Sequence, residues 1–134
     1  MAGIAITLTN PITDTQIFIL EKKYTWYRIV GNEAEIPFQP NNMAVVEVNG
    51  KKISLARIRD NLFAFAYKCP HASGILTEGW MDPKDNIVCP IHKYRFNIEN
   101  GRNTTGEGYR LTCWPVQRRP EGIFVGMEDG AFGG

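Results

Sequence analysis

The chain has few of the features that mark several large classes of protein. It contains no Gly-x-Gly-x-x-Gly nucleotide fingerprint and no basic tract, and its formal net charge is only +1. Neither dinucleotide binding nor nucleic-acid binding is therefore indicated. Its apolar runs are short, so no membrane span is predicted. The first six residues have neither a basic nor a sufficiently apolar region for a signal peptide, so a cytoplasmic protein is expected.

Long runs with helical periodicity are also missing. Short segments rich in β-branched and aromatic residues alternate with turn signals, which is typical of an all-β sandwich or barrel. Asn49-Gly50 is a strong hairpin signal, because both central residues must tolerate a positive φ. A second turn is expected at Asp60-Asn61. The predicted strands cover residues 25–30, 43–48, 51–57, 62–67, 87–88, 94–98, 111–117 and 123–125.

Cysteine and histidine are scarce, and most of them lie together. There are three cysteines, too few for a disulfide framework, and two histidines. Cys69 and His71 form one short segment, and Cys89 and His92 form another, in the pattern Cys-x-His-x17-Cys-x2-His. Thiolates and imidazoles at this spacing indicate a metal centre between two loops. Cys113 remains, and it is expected to be a small buried residue in a strand.

The order of the ligands distinguishes between metals. A zinc finger usually places both cysteines in one segment and both histidines in the other. Here each segment carries one of each, which suits a [2Fe–2S] cluster with a cysteine pair and a histidine pair. A structural zinc site remains the alternative reading of the same four residues.

With this motif the sequence resembles the Rieske family, in which two histidines replace two cysteines on one iron. The resemblance extends to Phe96, Gly101 and the segments 55–57 and 62–64, and it covers about residues 25–126. It implies stacked antiparallel sheets with a small cluster-binding subdomain at about 68–108, including a third loop at 106–108. Residues 1–24 are then an N-terminal extension, with possible extra strands, and 127–134 a tail. Trp80 and Trp114 are expected in the core.

The resemblance also implies the roles of the site residues. One [2Fe–2S] cluster per chain is expected, with thiolates of Cys69 and Cys89 on one iron and imidazoles of His71 and His92 on the other. These four residues are the expected metal ligands and the whole cofactor-binding set. No catalytic residue is expected, because a Rieske oxygenase subunit needs a second iron site with two further histidines.

The departures from the family indicate a low reduction potential. Respiratory Rieske proteins join their loops by a disulfide at positions that here are Gly74 and Ile91. They also direct two hydroxyl groups at the cluster, from positions that here are Tyr94 and Phe96. Fewer hydrogen bonds to the reduced cluster make its reduction harder. Lys93, where many relatives have glycine, acts in the opposite direction, but water screens an exposed charge.

The expected function is that of a soluble low-potential ferredoxin. It would carry one electron from a flavin reductase to a terminal oxygenase in a multicomponent oxygenase system. The alternative is a permanent accessory subunit that resembles the small subunit of nitrite reductase and binds a reductase large subunit. A structural zinc domain is the third possibility.

Overall fold

The structure is a computed structural model that describes residues 24–71, 73–105 and 108–128. The strands in these ranges are β1 (Tyr24–Val30), β2 (Met43–Val48), β3 (Lys51–Ile58), β4 (Asn61–Ala66), β5 (Trp80–Met81), β6 (Asn86–Val88), β7 (Arg95–Asn97), β8 (Cys113–Trp114), β9 (Val116–Arg119) and β10 (Gly122–Glu128). Two short 3-10 helices cover Glu33–Glu35 and Leu76–Glu78. No helix in the described ranges has the length and apolar character that a membrane crossing requires. The predicted all-β class is confirmed.

The strands form three antiparallel sheets. We call the sheet with the strand order β1-β10-β9 the outer sheet and the sheet with the order β2-β3-β4-β8 the central sheet. The third sheet, with the order β5-β6-β7, is called the loop-side sheet. The central sheet contributes side chains to two separate cores, because successive residues of a strand point to opposite faces. Its residues Ala44, Leu55 and Ala64 belong to the core shared with the outer sheet, and Met43, Ala56 and Phe65 belong to the core beneath the loop-side sheet.

The two hairpins of the central sheet explain its register. Asn49 and Gly50 have φ values of 52° and 81°, which confirms the turn predicted there. The second turn was predicted one residue too late. Its central residues are Arg59 and Asp60, with φ values of 48° and 72°, and β4 already begins at Asn61.

The strand predicted over residues 111–117 is wrong, because the structure divides it between two sheets. Residues of β8 pair with β4 in the central sheet, whereas β9 pairs with β10 in the outer sheet. Pro115 separates them and accepts a 3.0 Å hydrogen bond from Gly126 through its carbonyl oxygen. Proline lacks the N–H group that a continuous strand needs, so the chain changes sheets at this position.

The two ends of the predicted domain meet in one pair of strands. Tyr24 at the start of β1 pairs with Glu128 at the end of β10, and Met127 is buried beside it. The last strand therefore includes the first two residues of the predicted 127–134 tail. The extension predicted over residues 1–24 lies outside the described residues apart from Tyr24. Its boundaries, and those of the domain, stay predictions.

Candidate metal centre

The two cysteine–histidine segments form loops that share two backbone hydrogen bonds and one left-handed residue. We call them the first loop (69–74, residue 72 being outside the described ranges) and the second loop (89–94). In each loop the cysteine N–H donates to the carbonyl oxygen five residues later, over 2.7 Å in the first and 2.9 Å in the second. In each, the fifth residue of the loop, counting the cysteine as the first, donates its N–H to the cysteine carbonyl oxygen over 3.0 Å. That fifth residue, Ser73 or Lys93, has a φ of 60°.

The sheets hold both loops against one core. The first loop follows β4 and is closed by an antiparallel bridge between Lys68 and Ile75, and the second loop connects β6 to β7. Cys69 is 3% exposed and Cys89 is fully buried, and both belong to the core beneath the loop-side sheet. The two thiols are therefore shielded from water and fixed by packing.

Backbone N–H groups point at the buried sulfurs. His71 donates its N–H to the Sγ atom of Cys69 over 3.4 Å. Burial raises the pKa of the Cys89 thiol, and the nearby Cys69 raises it further, although the N–H groups of Ile91 and His92 lower it. A thiolate pair in this position needs a cation for compensation, because two negative charges are costly to bury together.

The rings of the two histidines contact each other. Their ring centroids are 5.1 Å apart with an interplanar angle of 64°. The Nδ1 atom of His71 is buried and has no hydrogen-bond partner among the described residues. A buried nitrogen without a partner is uncommon in proteins, and a bound metal would satisfy it. His92, in contrast, lies exposed at the surface.

The donor types of these four residues, the ones expected from the sequence, fit a two-iron cluster of the [2Fe–2S] kind. Two cysteines and two histidines arranged as pairs suit two metal atoms, whereas tetrahedral zinc needs four ligands around one point. Gly74 leaves space at the sulfur, since a Cβ atom there would lie 2.9 Å from Sγ of Cys89.

The second loop also packs directly on the first. A Cβ atom at Gly74 would lie only 2.5 Å from Cγ1 of Ile91, so these two residues touch across the loops. Tyr94 of the second loop stacks on His71 of the first, with centroids 3.8 Å apart and an interplanar angle of 10°. The loops are thus held together by packing at the positions where a disulfide was ruled out from the sequence.

Sequence reasoning missed several aromatic residues at the site. Tyr109 meets the His71 ring edge-on at 5.2 Å, and nothing in its sequence position signals this contact.

Trp80 was expected in the core but is 40% exposed, and the Lys93 Nζ lies 5.9 Å from its ring. Trp114 is half-buried against the core of the outer sheet. Of the predicted third loop, residues 106 and 107 lie outside the described residues.

Two other polar features are structural. Asp82 accepts hydrogen bonds from Lys84, Asn86 and Arg95, the last over 2.7 Å, and so ties β5 to β6 and β7. Burial acts to raise the pKa of Asp82, but these hydrogen bonds outweigh it and the pKa is lowered. Cys113 is partly buried in β8, and burial raises the pKa of its thiol to about 11. Cys113 is therefore a neutral packing residue.

Comparison with known proteins gives one family. Residues 25–115 match the family model of the Rieske [2Fe-2S] domain. The ferredoxin component of the naphthalene 1,2-dioxygenase/salicylate 5-hydroxylase systems of Ralstonia sp. is 32% identical over 57 residues, or 42% of this chain and 54% of that protein. The chain spans about half the length of the first curated relatives that it matches.

Solved structures share the fold. A chain in the complex of reduced oxygenase and oxidised ferredoxin of carbazole 1,9a-dioxygenase has a TM-score of 0.64 at 25% identity, covering 77% of this chain and 94% of that one. The small subunit of a possible NADH-dependent nitrite reductase from Mycobacterium tuberculosis has a TM-score of 0.66 at 19% identity, covering 78% and 96%. The second likeness concerns the fold alone.

Proposed function

The chain belongs to the Rieske [2Fe-2S] domain family, and on this premise we propose that it is a low-potential electron carrier, the ferredoxin component of a multicomponent oxygenase system. Its family implies one [2Fe–2S] cluster, which takes up and releases one electron at a time when bound. The observation that carries the proposal is the pair of matched loops, each presenting one cysteine and one histidine above a common core.

The proposed ligands divide by residue type. Cys69 and Cys89 hold one iron as thiolates, and His71 and His92 hold the other through one ring nitrogen each. The buried Nδ1 atom of His71, which has no hydrogen-bond partner among the described residues, supports its place in this set. The N–H donors on the cysteine sulfurs stabilise negative charge there, as such donors do around iron–sulfur clusters.

The surroundings of the loops support a potential near the low end of the Rieske range. Phe96 is fully buried and brings no hydroxyl group. The Tyr94 ring stacks on His71. With fewer donors to stabilise the reduced state, we expect a midpoint potential of about −150 mV, within the range of about −150 to +300 mV for Rieske centres.

The apolar surface at the two loops supports contact with partner proteins. The exposed large apolar side chains among the described residues are Trp80, Ile91 and Tyr109, and all three lie at the two loops. Apolar surface of this kind marks interaction sites. The proposed partners are a flavin reductase that donates the electron and a terminal oxygenase that accepts it, and the chain itself catalyses no reaction on a substrate.

A second candidate is a permanent accessory subunit of a reductase. The fold likeness to a nitrite reductase small subunit favours it. Purification of the tagged chain from its native source separates the candidates. A ferredoxin is expected to elute alone, whereas an accessory subunit would retain a large reductase subunit in a fixed ratio through size-exclusion chromatography.

Protein-film voltammetry at neutral pH tests the electron-carrier proposal. A midpoint near −150 mV is the expected result. A midpoint above about +100 mV, well inside the upper part of the Rieske range, would contradict the low-potential assignment and the role based on it.

A further inference from the structure

The two histidines of the site have different surroundings although their loops share the same backbone hydrogen bonds around the cysteine. The imidazole of His71 is half-buried beneath two rings, Tyr94 face to face and Tyr109 edge-on. The two tyrosine rings also contact each other, with centroids 5.9 Å apart and an interplanar angle of 56°. Together His71, Tyr94 and Tyr109 form a three-ring cluster, which we call the aromatic clamp.

The clamp joins three separate parts of the chain. His71 belongs to the first loop, Tyr94 ends the second loop, and Tyr109 follows the segment after β7. The backbone of Tyr94 is itself fixed, because its carbonyl oxygen accepts the hydrogen bond from the Cys89 N–H. The stacked ring is therefore anchored by the same bond that shapes the second loop, and it limits how the His71 side chain can rotate.

We propose that Tyr94 and Tyr109 are positioning residues that hold the His71 imidazole in its ligating orientation and thereby control how firmly the cluster is retained. This inference rests on the proposed ligand set. A histidine that leaves its metal must rotate away, and the stacked ring of Tyr94 blocks that rotation. His92 is exposed and lies outside the clamp, although its ring meets that of His71.

The contact between Tyr94 and His71 is made through the faces of their rings. Stacked and edge-on aromatic pairs gain stability beyond the area that they bury. Tyr94→Phe should therefore retain the cluster as the wild type does, whereas Tyr94→Leu keeps an apolar side chain but loses the stack. We expect Tyr94→Leu to lose the cluster about threefold to tenfold faster, a factor in the range of one aromatic pair.

The test measures cluster loss from the purified holoprotein in the presence of an iron chelator, followed by the decay of visible absorbance. Tyr67→Leu is the matched control, because Tyr67 lies just before the first loop, half-buried, with Lys52 over its ring. Pulsed paramagnetic resonance of the reduced protein supplies a second readout. In Tyr94→Leu we expect altered coupling of one histidine nitrogen and unchanged coupling of the other.

The possible results distinguish a failure of the aromatic clamp from a failure of the proposed ligand set. Faster loss in Tyr94→Leu, with wild-type rates in Tyr94→Phe and Tyr67→Leu, supports the clamp. Equal rates in Tyr94→Leu and the wild type would overturn it, as would equal acceleration in Tyr67→Leu. If Tyr94→Leu fails to fold, Tyr109→Leu is measured against the same criteria. A His71→Ala variant that keeps its cluster would instead refute the ligand set.

Discussion

The first and second loops of the metal centre share a backbone hydrogen-bond pattern but place their histidines in different surroundings. Both use the same two hydrogen bonds around the cysteine and the same left-handed fifth residue. His71 is covered by the rings of Tyr94 and Tyr109, whereas His92 is exposed between Ile91 and Lys93. The backbone thus fixes where the ligands lie, and the neighbouring side chains decide which ligand is shielded and which can meet a partner.

The loops also differ in what supports them. The first loop follows β4 of the four-stranded central sheet, and this sheet is packed on both faces. The second loop connects β6 and β7. These strands are three residues long each and are linked by hydrogen bonds to Asp82. Changes in the loop-side sheet should therefore affect the second loop more than the first.

The largest effects should come from the ligands, and here the two loops should behave alike. We expect His71→Ala, His92→Ala, Cys69→Ala and Cys89→Ala each to abolish the cluster, because every substitution leaves one iron without a ligand. Lower thermal stability should follow, since metal binding contributes to folding. Iron analysis of the purified variants measures this. A variant that retains full iron content would remove that residue from the ligand set.

Weakening the support of the second loop should have the next largest effect. Asp82→Asn removes the charge that accepts four hydrogen bonds, and we expect a loss of about 1–3 kcal/mol in the free energy of unfolding. Because the pKa of Asp82 is lowered in the folded protein, its contribution is present above the unfolded value and disappears as the pH falls through the folded one.

The wild type should therefore lose stability below about pH 4, whereas Asp82→Asn should lack this component of its acid sensitivity. Denaturant unfolding at pH 7 and at pH 3 measures both. Equal stability of wild type and variant at pH 7 would show that the Asp82 network does not support the loop.

A smaller effect should come from the left-handed residues, and it should be the same in both loops. A side chain at positive φ is strained, and glycine is not, although glycine has more freedom to lose on folding. We expect Ser73→Gly and Lys93→Gly each to stabilise the protein by about 0.5–1 kcal/mol. Lys93→Ala is the control, because it removes the charge but keeps the strain.

The thermal midpoint of the holoprotein, followed by visible absorbance, measures these changes. The midpoint of Lys93→Gly should be higher than that of the wild type by about 4 °C, and the midpoint of Lys93→Ala should not be higher. A higher midpoint for Lys93→Ala would show that the effect comes from the charge of Lys93. Unequal effects of Ser73→Gly and Lys93→Gly would show that the two loops are not equally strained at this position.

The smallest effect is expected at the third cysteine. Cys113 is partly buried in β8, and its thiol is neutral at physiological pH because burial raises its pKa to about 11. Cys113→Ala should leave the visible spectrum and the iron content unchanged. Loss of colour in this variant would mean that a cysteine outside the two loops holds the metal.

The sequence allowed the fold class and the two loops to be predicted, because both depend on local patterns. Asn49-Gly50 can form only a few turns, and a mixed Cys/His order at close spacing has few readings. The change of sheets at Pro115 was missed, because β-propensity on both sides continues through the proline. The contact of Tyr109 with His71 was missed because it joins residues far apart in the chain, and no spacing rule reports such packing.

The most direct test of the central claim is paramagnetic resonance of the dithionite-reduced holoprotein, together with its metal and sulfide content. The claim is that two matched loops supply one cysteine pair and one histidine pair to a [2Fe–2S] cluster. The expected result is a red-brown protein with a rhombic signal of low average g and couplings from two histidine nitrogens. A colourless protein with stoichiometric zinc, or a cluster signal without nitrogen couplings, would contradict it.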